Sequence, residues 1–253
     1  MQKNKIVFLF LSLLLVFSCS KKTTKPEEAF DAEKVFANAN EQMGRKEYEE
    51  ARTSFLEIKS RDLTKKYAPL AQLRIADTYI QEEEPDRAVD EYKRFIEIYP
   101  DHKYASYAQY QVAMIYFNQI ESSERGYGAA SKALEEFEKL KQMFPRNPYR
   151  DVLEVRIEKC KDILADYEFV VGTFYYNKGS YDAAIKRFRV LLQKYPGFKK
   201  EPDVLYSLAM AYKKHGEKDK AAEYFKLLIE KYPHNNFVPE AKKELTPVPV
   251  KKK

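Results

Sequence analysis

One sixteen-residue phrase recurs along this chain and limits its fold more than any other feature. It reads PDRAVDEYKRFIEIYP at residues 85–100, YDAAIKRFRVLLQKYP at 181–196 and KDKAAEYFKLLIEKYP at 218–233. A weaker copy, YEEARTSFLEIKSRDL at 48–63, lacks the closing proline. Each copy has an alanine, an aromatic residue four positions later and an apolar residue three beyond that. That spacing puts all three on one face of a helix. The proline cannot continue a helix and marks its end. With only 7 Gly and 12 Pro in 253 residues, the composition also argues against an all-β or disordered chain.

Upstream of each phrase lies a second apolar stretch of helical period. It carries a small residue and, in most copies, a tyrosine three further on: Ala76 and Tyr79, Ala113 and Tyr116, Gly172 and Tyr175, Ala209 and Tyr212. The first copy has Ala39 and Gln42 instead. This small–Tyr–Ala–aromatic–Pro order resembles the tetratricopeptide repeat, in which pairs of helices stack into a solenoid. Small residues let paired helices approach, and the aromatics fill the wedge between neighbours. The expected fold is therefore all-α, a tetratricopeptide-repeat superhelix of five helix pairs.

In that frame the units begin near Ala32, Pro69, Ser106, Ala165 and Pro202. One interval is too long. Part of the excess falls in the polar stretch NQIESSERGYGAA, residues 118–130, which reads as a loop. The rest precedes the fourth unit, where no breaker interrupts residues 150–177. We expect one elongated helix there, leading into repeat four and about 42 Å long at 1.5 Å per residue. Val152, Val155, Ile163 and Leu164 form the expected apolar stripe by which its added part packs on repeat three.

The N-terminus has a different character. Lys3 and Lys5 precede a run of 12 apolar-rich residues, 6–17, too short to span a bilayer and suited to a signal-peptide core. VFSC, residues 16–19, resembles the bacterial lipoprotein signal, in which the cysteine is acylated and becomes the first mature residue. Cys19 is thus the expected lipidation site, and its acyl chains the expected membrane anchor. The expected organisation is a signal peptide at 1–18, a flexible tether at 19–29 and repeats one to three at 30–145. The long helix with repeats four and five follows at 146–240, and a disordered tail at 241–253. The other cysteine, Cys160, reads as a small helix residue without a disulfide partner. The formal charge of +6, with both signs mixed along the chain, does not point to a nucleic-acid groove.

The acylation signal, the tether, five repeats and one elongated helix together resemble the BamD family, lipoproteins of the outer-membrane β-barrel assembly machine. The specific part is FPRNPYRD at 144–151 with KDILADYEFVVGTFYYNKGSYDAAIKRF at 161–188. The resemblance implies a place on the periplasmic face of the outer membrane. It implies docking of the periplasmic domain of the barrel-forming partner BamA by the C-terminal repeats, with Arg187 as a contact. It further implies reception of unfolded outer-membrane protein clients by the N-terminal repeats. Ser20 in place of Asp after the acylated cysteine fits outer-membrane delivery by that family's sorting rule.

From the repeat frame, the concave side of the first helices carries Phe36, Leu73, Ile80, Tyr110, Met114 and Phe117 in repeats one to three. Phe169, Tyr176, Tyr206 and Met210 follow in repeats four and five. An apolar, aromatic groove of this kind suits an extended or helical peptide with aromatic anchors, or simply packs the inner curve. Two other readings stay open on the residues. One is a different periplasmic repeat lipoprotein serving cell division or pilus assembly, although that does not call for the elongated helix. The other is a murein-cleaving enzyme built around Glu121 and Ser122, although repeats resume at once after them. His102, His215 and His234 lack metal-ligand spacing, and no phosphate loop or nucleophile motif is visible. The expectation is a scaffold without enzymatic chemistry, cofactor or metal.

Overall fold

The computed structural model describes residues 30–120 and 126–246, so the signal, Cys19, the tether and Glu121–Ser122 lie outside the described residues. Among the described residues there are eleven α-helices and no strand. The five pairs are α1 (Ala32–Gly44) with α2 (Tyr48–Arg61), α3 (Ala68–Gln81) with α4 (Pro85–Ile98), α5 (Ala105–Asn118) with α6 (Tyr127–Met143), α7 (Arg150–Asn177) with α8 (Tyr181–Lys194), and α9 (Glu201–His215) with α10 (Lys218–Lys231). A last helix, α11 (Val238–Leu245), follows. Every extensive helix contact joins neighbours in chain order, with α7 against α9 a minor exception. That is the one-dimensional contact pattern of a solenoid.

The recurring phrase explains the packing. The small residues of the first helices, Ala39, Ala76, Ala113 and Ala209, are fully buried, and so are the alanines Ala51, Ala88, Ala133 and Ala184 of the second helices. The aromatics four positions on, Phe55, Tyr92, Phe137, Phe188 and Phe225, are among the largest side chains in the interior. Repeat four needs the smallest residue of all. A Cβ on Gly172 would sit 2.5 Å from Cε1 of Phe188, well inside contact distance.

Each tight turn between paired helices contains one left-handed residue: Lys46 (φ 64°), Glu83 (φ 59°), Gly179 (φ 75°) and Gly216 (φ 98°). Glycine adopts this conformation without steric cost at Gly179 and Gly216, whereas Lys46 and Glu83 hold it against their Cβ atoms. The turns between repeats are closed differently. Asn147 Oδ1 accepts the N–H of Tyr149 (2.9 Å), and Asn235 Oδ1 accepts that of Phe237 (3.0 Å). Asp62, where the proline is missing, accepts the N–H groups of Thr64 (3.1 Å), Tyr67 (2.6 Å) and Ala68 (2.9 Å). Burial acts to raise the Asp62 carboxyl, but these hydrogen bonds and that of the Thr64 hydroxyl outweigh it and hold it below the usual range.

Three expectations need correction. The elongated helix is Arg150–Asn177, 28 residues, but its apolar stripe is Leu153, Ile157, Cys160, Ile163 and Leu164. Val152 and Val155 are 47% and 70% exposed. Leu153, Ile157 and Cys160 join Ala113, Ala133, Phe137 and Leu140 in the core of repeat three, and burial pushes the Cys160 thiol up to about 11. The 118–130 stretch is not all loop, because α6 starts at Tyr127 and gains most of a turn at its N-terminus. The tail boundary at 241 falls inside a helix. α11 occupies the place of a sixth first helix, buries Val238 and Ala241, and covers the end of the core against α10. A terminal helix of this kind shields apolar surface that an unpaired last repeat would expose.

Gly172→Ala should lower the urea unfolding midpoint by an amount equivalent to about 1–3 kcal/mol, the cost of overpacking a filled interior. A variant that melts with the native protein would mean that the Phe188 ring shifts freely and that this approach is not constraining.

Candidate functional site

Arg187 sits on the second helix of repeat four and is 44% exposed along its side chain. Its Nη1 donates to Glu168 Oε2 at 3.0 Å, and Glu168 is almost wholly buried on α7. The same two places are joined in other repeats. Gln72 Nε2 on α3 donates to Glu91 Oε2 on α4 (2.5 Å), and Gln109 Nε2 on α5 donates to Glu136 Oε2 on α6 (2.8 Å). Each is a polar clasp between the two helices of one pair. Repeat four has reversed its polarity, with the carboxylate on the first helix and a cation on the second. Only one nitrogen of the Arg187 guanidinium is engaged, so its other donors remain for a second carboxylate.

The Glu136 clasp is the most heavily furnished. Burial acts to raise its carboxyl, but Gln109, Lys93 (3.1 Å) and Lys139 (3.2 Å) outweigh that and leave it below the usual carboxylate range. Lys93 comes from α4, so this carboxylate also ties repeat two to repeat three.

The predicted groove residues are all half-buried except Leu73, which is buried. They divide into two groups. In repeat three, Tyr110, Met114 and Phe117 are brought together under a residue that the sequence reading missed, Arg156 of α7. Its Nη1 lies 3.0 Å from the Tyr110 hydroxyl, and its guanidinium centre lies 5.5 Å from both the Tyr110 and Phe117 ring centres. It also reaches Met114 Sδ at 2.7 Å. Tyr110 stacks on Tyr149 at 4.0 Å. This part of the face is covered by the elongated helix and does packing work.

In repeats one and two the face is open. Phe36 and Leu73, with Leu70, Tyr104 and Tyr107, line an apolar cavity of about 220 Å³. Its polar edge is Arg74 and Asp77, paired at 3.0 Å. Asp77 also accepts the Tyr92 hydroxyl at 2.5 Å, and burial with that carboxylate drives the phenol far above its usual range. Ile80 does not line this cavity. In the C-terminal repeats Tyr206 stacks on Phe237 (4.5 Å), Phe169 leans on Phe188 (5.9 Å), Tyr176 meets Tyr181 (5.7 Å), and Met210 packs at the edge of the same core.

The aromatic lids have a positional logic. Tyr67, Tyr104, Tyr149 and Phe237 each stand at the N-cap of the next first helix. Their recurrence before four of the helices, though not before α9, whose N-cap is Lys200, was the signal available in the sequence. His102 lies in the inter-repeat turn beside Tyr104, and burial with nearby Lys103 lowers its pKa. Among the described residues, no cluster of three or more His, Cys, Asp or Glu is placed to hold a metal, and no helix is long and apolar enough to cross a membrane.

The model of the YfiO family, described as outer membrane lipoprotein, matches residues 28–227. Among curated relatives, the outer membrane protein assembly factor BamD of Neisseria gonorrhoeae is 29% identical, over 83% of this chain and 85% of its own. The protein of the same name from Caulobacter vibrioides is 26% identical, over 78% of this chain and 66% of its own. Among solved structures, the TPR2AB domain of yeast Sti1 covers 83% of this chain and 81% of its own, at 17% identity and a TM-score of 0.46.

Two outcomes are expected. Arg187→Glu should destabilise the chain by about 1–3 kcal/mol in urea, because it sets a second carboxylate beside buried Glu168. Arg187→Gln should melt close to the native protein, since a Glu–Gln clasp is what Gln72 and Glu91 already form. Equal losses in both variants would show that the clasp depends on charge. Separately, the lowered Glu136 carboxyl contributes stability that is complete above the unfolded value of about 4.3 and is lost as pH falls through the folded value. Urea melts between pH 7 and pH 3 should therefore weaken on the acid side, less steeply in Glu136→Gln. An identical acid slope in that variant would remove Glu136 as a source of it.

Proposed function

The chain belongs to the YfiO outer membrane lipoprotein family, and on that footing we propose that it is a lipid-anchored, non-enzymatic scaffold for assembly of β-barrel proteins at the outer membrane. In this reading acylated Cys19 holds the chain at the periplasmic face. The C-terminal repeats dock the periplasmic domain of a BamA-type barrel protein, and the N-terminal repeats receive unfolded outer-membrane clients.

The single observation that carries the reading is family membership over residues 28–227, with relatives named outer membrane protein assembly factors. The geometry supplies the means. Helix pairs locked by buried aromatics present stiff faces, and a stiff face loses little freedom on binding. Arg187 meets one carboxylate within its own repeat and keeps donors for another, which suits bidentate pairing across an interface. The cavity at Phe36, Leu73, Tyr104 and Tyr107 is sized for one large side chain and offers an aromatic wall, a fit for an aromatic anchor of an extended client.

The test is co-purification from detergent-solubilised outer membranes. The native chain should bring a large β-barrel protein with it. Arg187→Gln should weaken that complex, most at low salt where charge pairing is least screened, while keeping its melt. A β-barrel partner recovered equally by both chains at high and low salt would remove Arg187 from the interface. Recovery of none by the native chain would overturn the scaffold reading itself.

A further inference from the structure

Aligning the repeats on their buried alanines exposes a missing partner. Lys93 on α4 and Arg189 on α8 each stand five residues after that alanine. Lys93 is neutralised by Glu136 of the next second helix, at 3.1 Å. At the corresponding place after Arg189 the next second helix carries Tyr224 instead of a glutamate. Arg189 has no ion-pair partner among the described residues, and its charge bears on the Tyr224 phenol from across the cleft.

The two residues line a cleft of about 670 Å³ between α8 and α10, floored by α9. Its other charged residues are already satisfied: Lys186 pairs with Asp182 at 2.7 Å, and buried Glu201 pairs with Lys231. Arg189 is therefore the one uncompensated charge on the lining. Beside it Leu227 is 41% exposed, Val190 is half-buried, and Tyr224 is held in place by stacking on Tyr212 at 5.5 Å. Arginine and tyrosine flanking exposed aliphatic surface is the composition of an interface hot spot. The surroundings carry the same sign, since residues 178–246 hold 15 Lys and Arg against 9 Asp and Glu, whereas residues 30–120 hold 13 against 17.

We propose that the cleft between α8 and α10 docks an acidic segment of a partner protein, which sets an Asp or Glu carboxylate on Arg189 and an apolar side chain against Leu227 and Val190. A lipid surface would call for a cluster of free cations at the rim, and the lining has one. A second copy of this chain could offer only Glu83 and Asp86 of its acidic run at residues 82–86, since Glu82 is committed to Arg52 and Glu84 to Arg87, and a crosslink to this chain is therefore one outcome of the test. The proposal rests on the scaffold reading only in needing a protein partner, and it does not involve Arg187.

The experiment places a photo-crosslinking residue at Leu227 of the full-length lipoprotein in its native membranes and maps the crosslinked peptide by mass spectrometry. One partner peptide with an Asp or Glu near the crosslink is expected. Its yield should fall about tenfold in Arg189→Glu, the scale of one hot-spot contact. Lys226→Glu, at the equivalent place in the last repeat but outside the cleft, should leave the yield unchanged. Circular dichroism melts should be the same for all three chains. No crosslink, a crosslink to this chain itself, a peptide without acidic residues, or a yield indifferent to Arg189→Glu would each overturn the proposal. If Arg187→Gln weakens β-barrel co-purification while Leu227 gives no crosslink, the cleft fails and the scaffold reading stands. An Arg189-dependent acidic crosslink to a protein outside the β-barrel complex would uphold the cleft and count against that reading.

Discussion

The close approach of two helices, set by a small residue on one and an aromatic ring on the other, is the interaction on which the rest depends. It is tightest between Gly172 and Phe188, and the corresponding residues of the other pairs, from Ala39 and Phe55 to Ala209 and Phe225, are all buried. Because each pair buries one face within itself and another against the next pair, no repeat completes its core alone. The elongated helix obeys the same constraint. Its second half supplies Gly172 to repeat four, and its first half lays Leu153, Ile157 and Cys160 into the interior of repeat three. The insertion that lengthens the third interval thus adds packing, and α11 does the same at the far end.

Against this uniform interior, the polar positions vary from repeat to repeat. The clasp between paired helices is amide to carboxylate in repeats two and three, carboxylate to guanidinium in repeat four, and apolar in repeat five, where Leu205 and Tyr224 hold the two places. Each solution pairs or removes the facing polar groups, although Gln72 Oε1 in repeat two stays buried without a partner, so stability alone does not choose among them. A choice that leaves a guanidinium half exposed or unpaired, as at Arg187 and Arg189, adds a surface property that the interior does not require.

The helices were legible because burial in a solenoid is periodic. The recurring Ala–aromatic–apolar phrase and the small-residue pattern upstream of it located all five pairs, and the lack of a breaker bounded the 28-residue helix. Periodicity failed where two faces compete. Val152 and Val155 satisfy a helical stripe as well as Leu153 and Ile157 do, and only the position of α6 decides which pair is buried. The start of the tail was misread because two prolines and three lysines near the terminus outweighed the phrase HNNFVPEA, which repeats the turn and aromatic N-cap that precede α7. The open cavity at Phe36 and Leu73 was partly legible. The capping of Tyr110, Met114 and Phe117 by Arg156 was not, since it joins residues from different repeats, far apart in the chain.

This difference in legibility has a physical reason that bears on where function resides in such a chain. Residues fixed by packing must recur with the repeat, because every repeat meets the same neighbour geometry. Residues that serve a partner answer to something outside the solenoid and have no reason to recur. Departures from the repeat, once packing has been accounted for, are therefore the places to look for binding. Cys160 and Gly172 depart from it but are explained by burial and close approach. Arg187 departs from it and is half explained, by its clasp to Glu168. Arg189 opposite Tyr224 departs from it and is not explained by any contact within the described chain. Charge left uncompensated beside exposed leucine in a rigid cleft marks an interface whose other half belongs to another molecule.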